Sequence, residues 1–367
     1  MVISTYFYVG KMNFIDLFCG CGGFSRGFVE MGFKPLLAIE LDENAANSYA
    51  LNYNGTVFEK KLNEILEKEV YFKLEDFLVQ DDIEEFKKLN NYENLNPVVI
   101  NEDIREINSK YISNIVNNNS DSKIDLIIGG PPCEGYTGAN PKREKIPFNR
   151  LYRDPVGRLV LEYIRIVGDI SPEVFVMENV PGILNYETRE HLEKEFSRVG
   201  FDEIYFHVFD SENYGNPSLR KRVIVSNIPL NLEKTDNVDV KTALSNIDRN
   251  ALNNEKYPLP EKIAKDIHKI KIGGSAVKFK ACGGFLDNYI RLSMEGNSET
   301  VMGKRRFIHH EEDRLLTVRE QARLMSYPDT HIFAGGITAQ YNQVGESVPP
   351  SLSLVIAKEV KKYLNNK

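Results

Sequence analysis

Cys133 sits in GGPPCEGYT, residues 129–137, directly after an apolar run. Strand ends carry ligand sites in open α/β sheets, and two prolines stiffen the approach to the sulfur. A thiolate held this way can attack an electron-poor carbon. A cysteine in a rigid Gly/Pro loop can equally be inert packing. Glu178 ends another apolar run in MENVPGIL, residues 177–184. A carboxyl at a dry strand end tends to have its pKa raised, so it can carry a proton at neutral pH. A polar strand cap reads the same way. Asn179 beside it can hydrogen-bond to hold the loop. In NYGNPSLRKRVIV, residues 213–225, Arg220 and Arg222 alternate around Lys221 and should share one face of a strand. Two guanidiniums on one face suit a polar or anionic target; solvated charges on an edge strand are the alternative.

A fourth group is FIDLFCGCGGFSRGF, residues 14–28. A strand ends at Phe18, and Gly20, Gly22 and Gly23 turn the chain into a helix. The missing Cβ atoms let a ligand approach the backbone, and the helix start offers free N–H groups. The spacing is not the dinucleotide G-x-G-x-x-G, and the turn alone fits any nucleotide. Glu40 ends the next strand and can accept hydrogen bonds from both hydroxyls of a ribose. Asp103 follows the third strand and can read an adenine amino group. Each acid alone could be a solvated loop residue.

Strand-like runs at 13–18, 35–40, 97–100, 124–128 and 173–177 must position these groups, with helical patterns between them at 43–52 and 157–168. That alternation predicts a Rossmann-like α/β fold: a mostly parallel sheet with helices on both faces. Residues 59–94 interrupt it and read as a helical insert. After about residue 230 the rhythm is lost. Lys-rich stretches and the pairs Gly273–Gly274 and Gly283–Gly284 suggest a smaller irregular domain. Helices are expected at 317–326 and 351–364.

These blocks, in this order, resemble the cytosine-5 DNA methyltransferase family. A glycine turn, a PPC block, an ENV block and an R-x-R block precede a variable segment. Two closing blocks follow, RLLTVREQARLMSYPD at 314–329 and QYNQVGESVPPSL at 340–352. The resemblance covers the chain apart from 59–94 and about 230–290. It implies three regions: a catalytic domain over 1–228 that binds S-adenosylmethionine, a target-recognition domain over 229–334, and a return segment over 335–367. It implies Cys133 as nucleophile, with Glu178, Arg220 and Arg222 as the other catalytic residues. S-adenosylmethionine is expected against Phe18, Gly20, Cys21, Gly22, Gly23, Glu40, Leu41, Asp103, Ile104, Gly130, Pro132, Leu159, Glu346, Ser347 and Val348. DNA is expected at Arg291, Thr300, Lys304 and Arg305. The chain departs from the family at Ser218, usually Gln, at Glu346, usually Asn, and at His309–His310, often His-Pro. A tRNA cytosine methyltransferase of the same family and a silent DNA-binding regulator are the neighbouring readings. A Rossmann dehydrogenase fails on glycine spacing.

The 367 residues carry a net charge of −7, which looks wrong for a DNA binder. The distribution explains much of it: 59–94 holds 11 Asp/Glu against 6 Lys, while 261–281 holds 6 Lys against 2 Asp/Glu. A basic face can coexist with an acidic total, because counterion release depends on the local surface. Four cysteines without C-x-x-C spacing predict reduced thiols, no metal site and a cytoplasmic protein. No apolar run is long enough for a membrane span, and 1–13 lacks the pattern of a secretory signal, so Met12 could be an alternative start. The partners implied by the resemblance are double-stranded DNA and, in restriction-modification systems, an endonuclease acting on the same site; a monomer is expected.

Overall fold

The computed structural model describes residues 12–61, 64–68, 73–78, 80–90, 92–119, 123–138, 140, 142–281 and 284–367. Cys282 and the segment before Met12 lie outside them. The first half alternates as expected: β1 Asn13–Leu17, α1 Gly23–Glu30, β2 Lys34–Glu40, α2 Glu43–Tyr53. β3 Thr56–Lys61, β4 Glu64–Glu67 and α3 Gln80–Leu89 come next, then β5 Val98–Asn101, α4 Ser109–Asn119 and β6 Leu126–Gly129. α5 Pro147–Tyr152, α6 Leu159–Ile170, β7 Val174–Asn179, α7 Tyr186–Arg198, β8 Tyr205–Asp210 and β9 Lys221–Ser226 complete it. Nine strands form one sheet in the order β4-β3-β5-β2-β1-β6-β7-β9-β8. The central pairings are parallel, while β9 runs antiparallel to β7 and β8, and β4 antiparallel to β3.

Strands buried on both faces read as unbroken apolar runs, and here alternate residues feed two separate cores. Ile127, Phe175 and Met177 pack with Ile112, Val160, Ile166 and Phe196 on one face. Leu126, Ile128, Val174 and Val176 pack with Phe24, Phe28, Leu352 and Ile356 on the other. Each fully buried side chain of this size contributes roughly 1.5–3 kcal/mol. A one-residue slip of any central strand would therefore exchange its two core faces. Local signals set the helix starts. Asp42 accepts from Ala45 N–H at 2.9 Å to cap α2.

The 59–94 insert is not wholly helical. Its first residues extend the sheet through β3, which pairs with β5, and β4 forms the outer edge. The charged run FEKK hides a strand whose residues pair with β4 in a local hairpin, while residues 56–58 pair with the distant β5. α3 then packs Ile83 and Phe86 with Leu51, Ile332 and Ala334.

Beyond β9 the chain is irregular, with short helices α8 Val240–Leu244 and α9 Glu261–Ala264. A three-stranded sheet follows, β10 Ser275–Ala281, β11 Gly284–Arg291 and β12 Phe307–Ile308, then α10 Val318–Arg323, α11 Ile337–Glu346 and α12 Pro350–Asn365. The Thr317 hydroxyl accepts from Glu320 N–H and the Glu320 carboxylate from Thr317 N–H, a reciprocal cap that starts α10. Among the described residues, a small core gathers around this sheet at Ile263, Ile267, Tyr289, Ile308 and Leu315. Ile290 and Phe307 of this sheet share a core with Val318, Tyr341 and Val344. Residues 331–334, expected with the small domain, hydrogen-bond to Ser48 and Asn52 of α2.

Candidate active site

In the sheet order, β2 lies on one side of β1 and β6 on the other. The helical connections leave in opposite directions there, which opens a crevice at the carboxyl ends of the two strands. The glycine turn follows β1 and the PPC loop follows β6, so topology alone brings these two motifs to one crevice.

The glycine turn is held from below. Phe18, Gly20 and Gly22 have φ of 58°, 55° and 92°. Tyr53 OH donates to Gly22 O at 2.6 Å, and a Cβ at Gly23 would lie 2.3 Å from Tyr327 OH. On the other side a Cβ at Gly20 would meet nothing within 4 Å, so that side of the turn is open to a ligand. Gly20 N–H and Asp42 N–H donate to the two oxygens of Glu40 at 2.8 and 2.9 Å. Burial of Glu40 raises its pKa above the usual carboxylate range against these bonds. Each oxygen keeps a lone pair for a hydroxyl. Leu41 beside it is 66% exposed, an apolar surface next to an acid that can hold a ribose. These residues fit an adenosine-bearing cofactor. Asp103 is different: both its oxygens engage Arg105, which lowers its pKa, and it caps the turn at 104–106. The acid expected to read an adenine amino group is thus also paired with Arg105. Ile104 is buried beneath it.

Around Cys133 the loop is tied at both ends. The Cys133 carbonyl accepts from Tyr136 and Thr137 N–H, each at 2.9 Å, and Tyr136 OH donates to Gly157 O at 2.8 Å. Asn179 Nδ2 donates to Pro131 O at 3.0 Å, so the ENV strand does hold the PPC loop. Gly130 and Pro132 are partly buried there, and a Cβ at Gly130 would lie 3.3 Å from Glu178 Oε2. Cys133 is partly exposed, whereas Cys19 and Cys21 are buried. Burial pushes the Cys133 thiol up to about 11; Arg222 and Arg220 act to lower it, and Glu178 and Glu134 to raise it.

Glu178 is 8% exposed, but its strand end is not free of charge. Arg222 Nε lies 2.6 Å from Oε1. β9 runs antiparallel beside β7, which sets these side chains against each other, a pairing invisible in sequence. Arg220 does not share this task. It is 3% exposed, and it donates to Val301 O at 3.2 Å and Ser347 O at 2.8 Å. Desolvation lowers its pKa to about 9, ahead of repulsion by Arg222. The two guanidiniums expected to act together are divided: one faces Glu178, the other ties Val301 to Ser347 of the closing block.

Val348 is buried, and its carbonyl lies against Gly23. Glu346 is exposed at the end of α11, within electrostatic reach of the crevice acids. Desolvation, then repulsion by Glu134, Glu40 and Asp42, pushes its carboxyl up to about 7. Leu159 opens α6 and packs partly buried against the core.

Of the DNA-contact residues, Arg291 is corrected outright. It is 5% exposed and donates to the carbonyls of Ile267, Ile270, His309 and Glu312 and to Asp313. Its donors are spent inside the small domain. Arg305 donates to the carbonyls of Tyr257 and Pro258, and Thr300 Oγ1 to Leu219 O. Both are engaged in loop anchoring. Lys304 is partly buried, and desolvation lowers its pKa. Residues that shape the site and were missed are Tyr53, Tyr136 and Tyr327. Tyr136 lies within the PPC block itself and Tyr327 within the closing SYPD, so position in the motif was the available signal.

A family model described as C-5 cytosine-specific DNA methylase matches residues 12–81 and 76–362. M.MjaORF1200P of Methanocaldococcus jannaschii is 54% identical over 366 residues, covering 96% of this chain and 99% of that protein. The type II methyltransferase M1.HphI of Haemophilus parahaemolyticus is 28% identical, covering 99% of this chain and 91% of that protein. The crystal structure of a prophage-encoded protein of E. coli superposes with a TM-score of 0.70 at 22% identity, covering 97% and 100% of the two chains. With the motifs gathered at one crevice and the match running through nearly all of its length, the chain belongs to the C-5 cytosine-specific DNA methylase family and is a DNA cytosine methyltransferase.

Proposed function

We propose that the enzyme methylates carbon 5 of a flipped-out cytosine in a specific DNA sequence, with Cys133 adding to carbon 6. The observation that carries this is the convergence at one sheet edge of an accessible thiol, a carboxylate and an arginine, while Cys19 and Cys21 are buried. Carbon 5 of cytosine is too electron-poor to attack a methyl donor. Addition of the Cys133 sulfur to carbon 6 converts the ring to an enamine and makes carbon 5 nucleophilic. Glu178 holds a proton or a strong hydrogen bond at ring N3, and Arg222 stabilises charge at O2. A base then removes the carbon-5 proton, the carbon–sulfur bond breaks, and the thiol is restored. S-adenosylmethionine, held by Gly20, Gly22, Gly23, Glu40 and Leu41, supplies the electrophilic methyl group. The target carbon is inaccessible in a duplex, so the base leaves the stack at a cost of a few kcal/mol.

DNA lies between the large domain and the segment 229–334, which chooses the sequence. Among the described residues no helix is long and apolar enough to cross a membrane. The test is bisulfite sequencing of DNA from cells expressing the enzyme, which reports the modified base and site. Duplexes carrying 5-fluorocytosine at that site should then trap a denaturant-resistant complex, because fluorine cannot leave as a cation. Cys133→Ser should abolish it. A complex that persists in that variant overturns the nucleophile.

A further inference from the structure

Residues 331–334 are fully buried yet belong to no helix or strand. Their backbone groups must therefore find hydrogen-bond partners, and apart from His331 N–H, which donates to Pro328 O at 3.0 Å, those described are side chains. Asn52 donates to Ile332 O at 2.8 Å and accepts from Ile332 N–H at 2.9 Å. Asn253 does the same for Phe333, at 2.9 and 3.0 Å. Ala334 N–H donates to Ser48 Oγ at 2.8 Å, and Ala334 O accepts from Gln343 Nε2 at 2.9 Å. Arg319, wholly buried, donates to the carbonyls of Leu252, Pro328 and His331. Side chains from α2, α10, α11 and the small domain thus immobilise four residues of irregular chain.

One side chain leaves this clamp for the glycine turn. His331 Nε2 lies 3.0 Å from Cys21 O. A carbonyl only accepts, so Nε2 carries the proton. Nδ1 is buried with no hydrogen-bond partner among the described residues. The Asn52 amide, 3.4 Å from Nε2, already donates to Ser48 O and Ile332 O. Burial, reinforced by Arg26 and Arg319, holds the imidazole pKa well below its usual range, so the ring is a neutral single donor. The turn it reaches contains a non-glycine residue at positive φ, Phe18. Such a conformation persists only when its surroundings over-determine it.

We propose that His331 is a positioning residue for the cofactor turn, its Nε2–H holding the Cys21 carbonyl so that Gly20, Gly22 and Gly23 stay in the geometry that receives S-adenosylmethionine. This rests on the assignment of that turn to the cofactor. The clamp also explains why the recognition segment and the cofactor turn are set relative to each other: Leu252 and Asn253 of the small domain anchor the residues that carry the imidazole.

The test begins with the wild-type, cofactor-free enzyme. Nitrogen NMR of His331 should show the Nε2–H tautomer with a slowly exchanging proton; the Nδ1–H tautomer overturns the proposal. Calorimetric titration with S-adenosylmethionine follows for wild type, His331→Leu and His331→Gln, each with urea unfolding and hydrogen exchange of a peptide over 17–24. Leu keeps bulk but lacks the donor. Affinity should fall about tenfold and the turn should exchange faster, as for loss of a buried hydrogen-bond partner. Gln places its amide nitrogen near the Nε2 position and should restore affinity to within about threefold of wild type by the same bond. Binding of duplex DNA should be unchanged in both. A folded Leu variant that binds cofactor like wild type overturns the proposal. So does a Gln variant that loses as much as Leu, since packing alone would then explain the effect. If Leu fails to fold, the tautomer and the Gln affinity decide. If wild type binds no cofactor, the cofactor assignment fails, while the tautomer and the exchange rates still judge the contact itself.

Discussion

Replacing Glu178 by Gln should push the two halves of the active site in opposite directions. Cys133 has a thiol pKa of about 11 in the cofactor-free protein, chiefly because it is desolvated. At pH 7 about one molecule in 10⁴ then carries the thiolate, an ionisation cost of roughly 5 kcal/mol at 1.36 kcal/mol per unit. Glu178 contributes to that cost and Arg222 opposes it. The Gln variant removes a negative charge near the sulfur and frees Arg222 from its 2.6 Å partner. The thiol titration should move down, so alkylation of Cys133 at a given pH should speed up. Methyl transfer should slow by about 10²–10⁴-fold, the usual worth of general acid catalysis. The assay is iodoacetamide labelling from pH 7 to 10, read by mass spectrometry on the Cys133 peptide, beside methylation of duplex DNA. Wild-type labelling should rise about tenfold per pH unit with no plateau near 8.5. Cys19 and Cys21, 4% and 0% exposed, should stay unlabelled. A Gln variant that alkylates more slowly than wild type would refute the electrostatic argument. A wild-type plateau near pH 8.5 would refute the desolvation of the thiol.

Arg291→Leu should destabilise the protein by about 3 kcal/mol or more, because it orphans buried carbonyls and an ion-pair partner; a DNA-binding loss without a fall in unfolding free energy would return Arg291 to the interface. Glu346 ionises near pH 7 beside other acids, so cofactor affinity should weaken as pH rises from 6 to 8. Glu346→Asn should remove that dependence, and calorimetry at the two pH values checks it. Burial raises the Asp16 pKa to about 7, against the bond from Ser25. An acid raised on folding contributes stability that is present below its unfolded pKa near 4 and is lost as pH rises through 7, about 4 kcal/mol in total. Denaturant unfolding of Asp16→Asn should show a flatter slope between pH 4 and 7 than wild type.

The family of this protein and its candidate site were readable from one dimension because the motifs are local. Gly20 to Gly23, Pro131 to Cys133 and Glu178 with Asn179 each lie at the end of an apolar run, and such runs form strands buried on both faces. Order along the chain then implied order across a parallel sheet. What the sequence could not decide was where long side chains spend their charges. Arg220, Arg222, Arg291 and Arg305 look alike in a string of letters. Only tertiary packing separates the one that meets Glu178 from the three that bond to distant carbonyls. Asp103 and Glu40 were equivalent strand-end acids until Arg105 closed on one of them. β3 was hidden because the pairing of residues 56–58 with β5, which ties it to the sheet, comes from beyond the insert. Nor did any spacing connect His331 to Cys21, because 310 residues separate them and the link exists only where buried backbone must be satisfied.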